Sequence, residues 1–249
     1  MKGVMSNAAR HEQMSLALKQ GFPMLQKHGH FHDGIMQIAC FGPSLMRTFP
    51  EIEFNLPLMS VSGAHDFLIY RGWVPTYHVE IDPRPHKPEM LQNPQKTVEY
   101  LMASCCHPDF WDVLKGKKVT LWHLINGNDY ETVEWVKRNH PAGEGSLIGG
   151  DSTVGQRAMN VAAALGYRKF KIFGMDGSFT DSCHAGNHTG PAQPIRRVAF
   201  HQRKFTTSPH LLQSVFEMER FLTSMDVEVE FYGDGLMQEM ARAIHRKVD

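Results

Sequence analysis

The sequence contains no long apolar segment. No stretch of it approaches the roughly 18 consecutive apolar residues of a helix that crosses a membrane. Residues 1–13 include a lysine but no apolar core after it, so they do not resemble a secretory signal. Only 4 of the 249 residues are cysteine, which argues against a disulfide-stabilised extracellular scaffold. These absences predict a cytoplasmic protein without a membrane span.

An excess of charge of either sign is also missing. The 26 basic and 26 acidic residues give a formal net charge of zero, which argues against a large basic surface for nucleic acid. We therefore expect no nucleic-acid partner. Glycines number 21 and prolines 14, and no segment rich in them divides the chain. Because 42% of the residues are apolar, we expect a globular chain of one or two domains.

Short apolar segments alternate with helical patterns along the chain, which indicates an α/β fold with a mostly parallel, layered sheet. Residues 177–208 lack a clear periodicity, and a loop of that length is usually functional or mobile. Seven strands are predicted, at residues 35–41, 76–81, 98–104, 118–125, 146–150, 169–176 and 227–232. Five helices are predicted, at residues 7–28 (with Asn7 as N-cap and a break or kink at Gly21 and Pro23), 129–138, 153–166, 210–225 and 235–247.

Ligands of such sheets bind beyond the carboxyl ends of the strands, so the residues that follow each strand are candidate site residues. Gly42, Pro43 and Ser44 follow the first strand. Glycine lets the backbone approach a ligand closely, and Ser44 can donate to a phosphate, although an ordinary strand–helix turn has the same composition. Asp82 and Asp176 end two other strands, where a carboxylate can contact a metal or a ribose.

A second candidate anion site lies at the start of the helix predicted over residues 153–166. Gly149 and Gly150 come first, and Ser152, Thr153 and Gly155 follow. Free N–H groups and the helix dipole favour an anion at such a position. The segment is neither a Walker loop nor a GxGxxG motif. The alternative is a capped helix that packs closely on the sheet.

The aperiodic stretch carries a histidine and a basic run. His184 is a candidate catalytic or phosphate-contacting residue. The basic residues downstream can clamp phosphates, or they can form a solvated face. They are Arg196, Arg197, Arg203 and Lys204.

Three segments together resemble a known family. They are FGPSL at 41–45, MSVSGAHDFLIYRGWVPTYHVEIDP at 59–83, and GGDSTVGQRAMNVAAALGYRKFKIFGMDGSF at 149–179. They are similar to successive blocks of the family named for the archaeal 6-hydroxymethyl-7,8-dihydropterin diphosphokinase (MptE-like). That family includes the central domain of motility accessory factors, which are linked to flagellin glycosylation, and it has a more distant likeness to sialyltransferases. The resemblance covers roughly residues 35–190. Cys40 departs from the family pattern, which has glycine there.

The resemblance implies a nucleotide-handling transferase with a Rossmann-like, three-layer α/β core. By this analogy, Gly42, Pro43 and Ser44 bind the nucleotide or its phosphates, and His184 is a base or phosphate ligand. Asp82 and Asp176 hold Mg²⁺ or a ribose. Phosphate contacts from the second candidate site come from Gly150, Ser152, Thr153 and Gly155.

Three functions follow as hypotheses. The first is pyrophosphoryl transfer from ATP to a small alcohol acceptor, with Asp176 and His184 as catalytic residues and Mg²⁺ as the metal. The second is glycosyl transfer from a nucleotide-activated sugar to a small-molecule or glycan acceptor. The third is a non-catalytic module that binds a nucleotide or a sugar. In each case we expect an N-terminal helical segment over residues 1–34 and a Rossmann-like nucleotide-binding transferase domain over residues 35–249.

Overall fold

Helices and strands alternate along most of the chain. The computed structural model describes residues 5–127, 129–150, 152–180, 184–185 and 194–245. Short 3-10 helices lie at Phe49–Glu51, Pro88–Met90 and Pro141–Ser146. The other elements are α1 (Asn7–Leu18), β1 (Ile35–Ala39), α2 (Leu45–Thr48), β2 (Leu58–Val61), α3 (Ala64–Ile69), β3 (Tyr77–Glu80), β4 (Glu99–Ala103), α4 (Phe110–Val113), β5 (Lys118–Leu124), α5 (Tyr130–Asn139), β6 (Leu147–Ile148), α6 (Val154–Ala164), β7 (Lys169–Phe173), β8 (Arg196–Phe200), β9 (Arg203–Thr207), α7 (Pro209–Ser224), β10 (Glu228–Tyr232) and α8 (Leu236–His245).

The central sheet has eight strands in the order β10-β7-β1-β2-β3-β4-β5-β6, and every neighbouring pair is parallel. The chain moves outward from β1 to β6, and α6 then crosses back to bring β7 to the other side of β1. This reversal makes the β1–β7 boundary a topological switch point, the place where open α/β sheets bind ligands.

Apolar side chains cover both faces of the sheet, as expected for parallel strands between helices. Along β1, Met36 and Ile38 belong to one buried cluster, whereas Ala39 belongs to a second. Alternate strand residues point to opposite faces, so at β1 the two clusters lie on opposite sides of the sheet. Along β4, the consecutive residues Tyr100 and Leu101 both belong to the first cluster, which therefore reaches both faces there. The predicted three-layer α/β fold with a mostly parallel sheet is confirmed. Within the described ranges, no helix has both the length and the apolar character needed to cross a membrane.

The N-terminal helix is shorter than predicted, because α1 ends at Leu18 rather than at residue 28. Its N-cap is Ser6, whose hydroxyl accepts a hydrogen bond from Ala9 N, and not Asn7. Residues 23–25 instead pair with β5: Leu25 N donates to the Leu121 carbonyl at 2.7 Å, and Leu121 N donates to the Pro23 carbonyl at 2.8 Å. The break at Gly21, where φ is +72°, therefore redirects the chain to pair with β5.

The aperiodic stretch contains a β-hairpin that periodicity did not predict. Strands β8 and β9 pair antiparallel, with His201 in the turn at a φ of +51°. Four of their ten residues are basic, and most side chains of β8 are exposed or half-buried. A half-exposed, basic ribbon lacks the apolar pattern by which strands are recognised in a sequence. Strand β2 was not predicted either.

Candidate functional site

Three turns meet at the switch point, one at the carboxyl end of each of β1, β7 and β10. They are residues 42–44, 174–176 and 233–235. Beside them lies an open cleft of about 200 Å³, with strand β9 along one side. The residues that line it are Ser44, Arg47, Asp176, Ser178, Phe179, Thr180, Arg203, Lys204, Phe205, Thr206, Asp234 and Gly235. The structure thus brings together Ser44 and Asp176, two of the residues predicted from strand ends.

Two hydrogen bonds join the first two turns. Gly42 N donates to the Gly174 carbonyl at 2.9 Å, and Ser44 N donates to Asp176 Oδ2 at 2.8 Å. A Cβ at Gly42 would lie 2.4 Å from Gly174 O and 2.6 Å from Asp176 Oδ2. The close passage of the neighbouring turn therefore requires glycine at position 42. Pro43 lies between these two anchored residues.

The third turn was not singled out in the sequence, although Gly233-Asp234-Gly235 directly follows a strand that was predicted. A Cβ at Gly233 would lie 2.7 Å from Ser44 Oγ, and one at Gly235 would lie 2.5 Å from the Asp176 carbonyl oxygen. The strand-end rule that identified Ser44 and Asp176 identifies this turn when it is applied to the last strand.

Asp176 is the central anchor of the three turns. Only 5% of the residue is exposed. Its carboxylate accepts hydrogen bonds from Ser44 N and, at 3.3 Å, from the side-chain amide of Gln238. Burial raises the pKa of Asp176 above its ordinary value, because the hydrogen bonds from Ser44 and Gln238 only partly offset the cost of removing the carboxylate from water.

The cleft lining carries more basic than acidic side chains: Arg47, Arg203 and Lys204 against Asp176 and Asp234. Arg47 forms an ion pair with Asp234, which raises the pKa of Arg47. Arg203 donates to Glu239 of α8 at 3.2 Å and to the Asp234 carbonyl at 2.8 Å, and these contacts connect β9 to α8 and to the third turn. Three basic side chains at one cleft suit an anionic ligand such as a phosphate.

The predicted basic run is divided by the hairpin. Arg203 and Lys204 on β9 line the cleft, whereas Arg196 and Arg197 on β8 are not among its described lining residues. The antiparallel pairing places β8 on the far side of β9 from Phe179, whose N–H donates to the Thr206 carbonyl at 2.7 Å.

The amino end of α6 has protein partners at the atoms that were predicted to hold phosphate. Ser152 donates to Glu217 Oε2 through its backbone N–H at 2.9 Å and its hydroxyl at 2.6 Å. Thr153 is the N-cap and accepts from Gln156 N. The two hydrogen bonds from Ser152 join the amino end of α6 to a carboxylate of α7.

The two predicted glycines at this helix have packing roles. A Cβ at Gly155 would lie 2.8 Å from Cys40 Sγ and 2.9 Å from the Met175 methyl group. Gly155 therefore lets α6 approach the ends of β1 and β7. Gly150 has a φ of +142°, and a Cβ there would lie 2.4 Å from the Asn160 side-chain amide. The alternative reading of this segment, a capped helix that packs closely on the sheet, describes these contacts.

We predict that Glu217→Gln lowers the free energy of unfolding at pH 7 by about 1 kcal/mol, the usual size of a helix-cap contact. Hydrogen bonds from Ser152 and Gln213 outweigh burial and lower the pKa of Glu217. Its stabilisation is therefore present above the unfolded pKa of about 4.3, and it is lost as pH falls through the lower folded pKa. Urea denaturation at pH 7 and pH 3 measures this. An equal difference between wild type and variant at both pH values would contradict the assignment.

The structure does not bring Asp82 and Asp176 together. Asp82 follows β3, and strands β2 and β1 separate β3 from β7. Three strand spacings amount to about 14 Å, too far for both carboxylates to bind one ion. Burial would raise the pKa of Asp82, but hydrogen bonds from Arg84 and the nearby Lys87 ammonium lower it below its ordinary value. Asp234, which was not predicted, is the carboxylate that shares the cleft with Asp176.

His184 lies at the end of β1. Its Nδ1 is 3.3 Å from the Phe41 carbonyl oxygen, and its ring stacks on the Phe41 ring with centroids 5.4 Å apart. His184 is therefore close to residue 42, although it is not among the described residues that line the cleft.

Comparisons with known proteins agree with the fold and the resemblance. The model of the family described as 6-hydroxymethylpterin diphosphokinase MptE-like matches residues 24–182, more than half of the chain. No curated protein matches the sequence. A solved structure of a MAf glycosyltransferase from Magnetospirillum magneticum AMB-1 is similar, with a TM-score of 0.68 and 13% identity. The similarity covers 96% of this chain and 41% of that one, so the chain spans less than half of that glycosyltransferase. At this identity, the similarity shows a shared fold.

Proposed function

Because the chain belongs to the MptE-like family, we propose that it is a transferase that acts on a nucleotide substrate. The observation that carries this proposal is the cleft at the switch point, whose lining includes the basic side chains of Arg47, Arg203 and Lys204. In this proposal, the phosphates of the nucleotide bind beside Ser44, and Arg47 and Arg203 neutralise their charge.

The first reaction we propose is transfer of a pyrophosphoryl group from ATP to a small alcohol. The alcohol oxygen attacks the β-phosphorus, the bond from that phosphorus to the oxygen of the α-phosphate breaks, and AMP leaves. Guanidinium groups stabilise the charge that develops on the phosphoryl oxygens, and in this proposal Arg47 and Arg203 have this role. His184, beside the first turn, is the candidate base that accepts the proton of the alcohol.

Magnesium belongs to the same proposal. Mg²⁺ usually binds one or two carboxylates together with substrate phosphates, and the cleft offers the carboxylates of Asp176 and Asp234. Among the described residues, no group of three or more His, Cys, Asp or Glu side chains could hold a metal ion, so substrate oxygens would complete the coordination. A bound Mg²⁺ would supply charge neutralisation between phosphates.

A second candidate reaction is glycosyl transfer from a nucleotide-activated sugar. The observation that favours it is the fold shared with a MAf glycosyltransferase over 96% of this chain. The same basic groups would then stabilise the departing nucleotide phosphate, and His184 would accept the proton of the acceptor hydroxyl. Ligand binding separates the two reactions better than the fold does, because one fold serves many reactions.

The experiment that tests the proposal is a thermal-shift panel of ATP, GTP, CTP, CMP and UDP-, GDP- and CMP-linked sugars, with and without Mg²⁺. A ligand at 100 times its Kd adds about 2.7 kcal/mol of stability, which is a visible shift. A Mg²⁺-dependent shift with a triphosphate alone supports pyrophosphoryl transfer, and a shift with a nucleotide sugar or CMP supports glycosyl transfer. Binding without turnover of any acceptor would leave a non-catalytic module. The absence of a thermal shift with every ligand of the panel would contradict the proposal.

Removal of one cleft cation gives a sharper prediction. We expect Arg47→Met to weaken binding of the best ligand of the panel by roughly tenfold or more, because a charge-assisted hydrogen bond contributes about 1.5–3 kcal/mol. Arg197→Met is the matched control, since Arg197 lies on β8 away from the cleft lining. Isothermal titration calorimetry measures both affinities. Equal losses in the two variants would remove Arg47 from the phosphate site.

A further inference from the structure

The amino end of α8 is hydrogen-bonded to residues of the turn that contains Asp176. Met237 N donates to the Asp176 carbonyl at 2.9 Å, and Leu236 N donates to Ser178 Oγ at 3.1 Å. These two donors are among the first N–H groups of the helix, which have no partner within the helix itself. The backbone of residues 176–178 is thereby held by an element that lies beyond residue 182, where the family match ends.

Gln238, in the first turn of α8, reaches the carboxylate itself. Only 1% of Gln238 is exposed. Its Nε2 lies 3.3 Å from Asp176 Oδ1, 3.1 Å from the Tyr232 carbonyl and 3.4 Å from the Met175 carbonyl. One amide group therefore contacts the ends of both β7 and β10 as well as the carboxylate.

The other oxygen of the same carboxylate holds the first turn. Asp176 Oδ2 accepts from Ser44 N at 2.8 Å, so Gln238, Asp176 and Ser44 form a continuous chain of hydrogen bonds. The orientation of the Asp176 carboxylate decides whether both bonds can be made. A buried carboxylate needs such donors, because an unpaired charge in this position is costly.

We propose that Gln238 is a positioning residue for the phosphate-binding site: it orients the Asp176 carboxylate, which in turn fixes the Ser44 turn against the cleft. This inference rests on the proposed function for its ligand, but the contact itself does not. It assigns to the C-terminal segment, outside the family match, a part in forming the site.

The test is Gln238→Glu, which replaces the amide donor with a carboxylate of the same shape. Above the pH at which the pair shares a proton, two buried carboxylates repel each other. At lower pH, one carboxylic acid can donate to the other carboxylate as the amide does. The defect should therefore be large at pH 8 and mostly rescued at pH 5.5. Gln20→Glu is the matched control, because Gln20 is exposed and its amide donates to the Leu16 carbonyl of α1.

The first measurement is the urea midpoint of Gln238→Glu relative to Gln20→Glu, without ligand. We expect the difference between the two variants to shrink as pH falls from 8 to 5.5. The same difference at both pH values would overturn the proposal, because a packing defect alone does not depend on pH. If Gln238→Glu does not fold at pH 8, the swap Asp176→Asn with Gln238→Glu restores one amide and one carboxylate. Failure of the swap to regain stability would likewise count against the contact.

The second measurement is the affinity for inorganic pyrophosphate by calorimetry. At pH 8, we expect Gln238→Glu to bind pyrophosphate at least about tenfold more weakly than Gln20→Glu does, and at pH 5.5 we expect nearly equal affinities. A tenfold change in affinity corresponds to a shift of about one pKa unit in the carboxylate pair. A pH-dependent stability with unchanged affinity would show that Gln238 does not position the site. If the wild-type protein binds neither pyrophosphate nor any ligand of the thermal-shift panel, the proposed function fails, whereas the first measurement still decides the contact.

Discussion

Gly42→Ala is expected to lower the free energy of unfolding by about 3 kcal/mol, the upper end of the usual cost of overpacking. The new methyl group would lie 2.4 Å from the Gly174 carbonyl oxygen and 2.6 Å from Asp176 Oδ2. Relief requires the ends of β1 and β7 to move apart, because the first contact is with backbone rather than with a flexible side chain. That movement would break the bond from Ser44 N to Asp176, so ligand binding at the cleft should be lost as well.

Gly145→Ala provides the control for this substitution. Among the described residues, no heavy atom outside its immediate neighbours lies within 4 Å of a Cβ at Gly145, and its φ is not positive. We expect its free energy of unfolding to stay within about 0.5 kcal/mol of wild type, as for surface substitutions in general. Urea denaturation of both variants, followed by calorimetry with the best ligand, makes the comparison. A Gly42→Ala variant as stable as Gly145→Ala would show that the three turns are not joined as described.

The second large effect is a loss of stability in mild acid. Burial, and then the neighbouring His140, lower the pKa of His123 to about 4. Burial, and then His65, lower the pKa of His78 well below its ordinary value. An unfolded histidine titrates near pH 6.5, so the unfolded chain binds protons that the folded chain does not. The stabilisation is therefore complete above about pH 6.5 and is lost as pH falls from there toward the folded pKa values.

The size of the stability loss in acid follows from how far the pKa of His123 is lowered. His123 alone accounts for about 3 kcal/mol between pH 6.5 and pH 4, at 1.36 kcal/mol for each pKa unit. Its ring is fixed by hydrogen bonds at 2.8 Å to Ser104 and at 3.0 Å to His140, which holds the neutral form in place. His78 is fixed in the same way by Ser60 at 3.0 Å. The two histidines lie on different strands, so we expect their effects to add.

Urea denaturation at pH 7.5, 6.0 and 5.0 measures this dependence. His123→Gln should flatten the slope by up to one proton, whereas His86→Gln, at an exposed position, should leave it unchanged. A wild-type free energy of unfolding that stays constant from pH 7.5 to 5.0 would refute the assignment of His78 and His123 as buried neutral residues.

Part of the site was predictable from the strand-end rule, by which the residues that follow each strand are candidate site residues. It selected Gly42, Ser44 and Asp176 from the sequence, and these residues do meet in the structure. It also selected Asp82, which lies away from them, because the rule gives the edge of the sheet but not the order of the strands. Gly150 and Gly155 were selected for a ligand, and the structure shows them in close packing. A glycine next to a helix has the same sequence signature in both situations.

For other residues at or near the site, the neighbouring sequence gives no indication of their contacts. Gln238 is one amide in an amphipathic helix, and nothing in the pattern around it separates it from an exposed glutamine. Glu217 likewise reads as an exposed helix residue until α7 is placed beside the amino end of α6. Such contacts join residues far apart in the chain, and their existence depends on how whole elements pack.

The sequence by itself determined the local features of this protein. Alternating apolar strands and helices dictate a parallel α/β sheet, because each buried strand must be followed by a helix that returns the chain. The glycines and carboxylates at strand ends also follow from the sequence. Only the tertiary structure decided which of these ends meet. Strand β7 pairs with β1 rather than with β6, and this choice depends on the packing of α6 across the sheet. It brings Asp176 to Ser44 and leaves Asp82 three strands away.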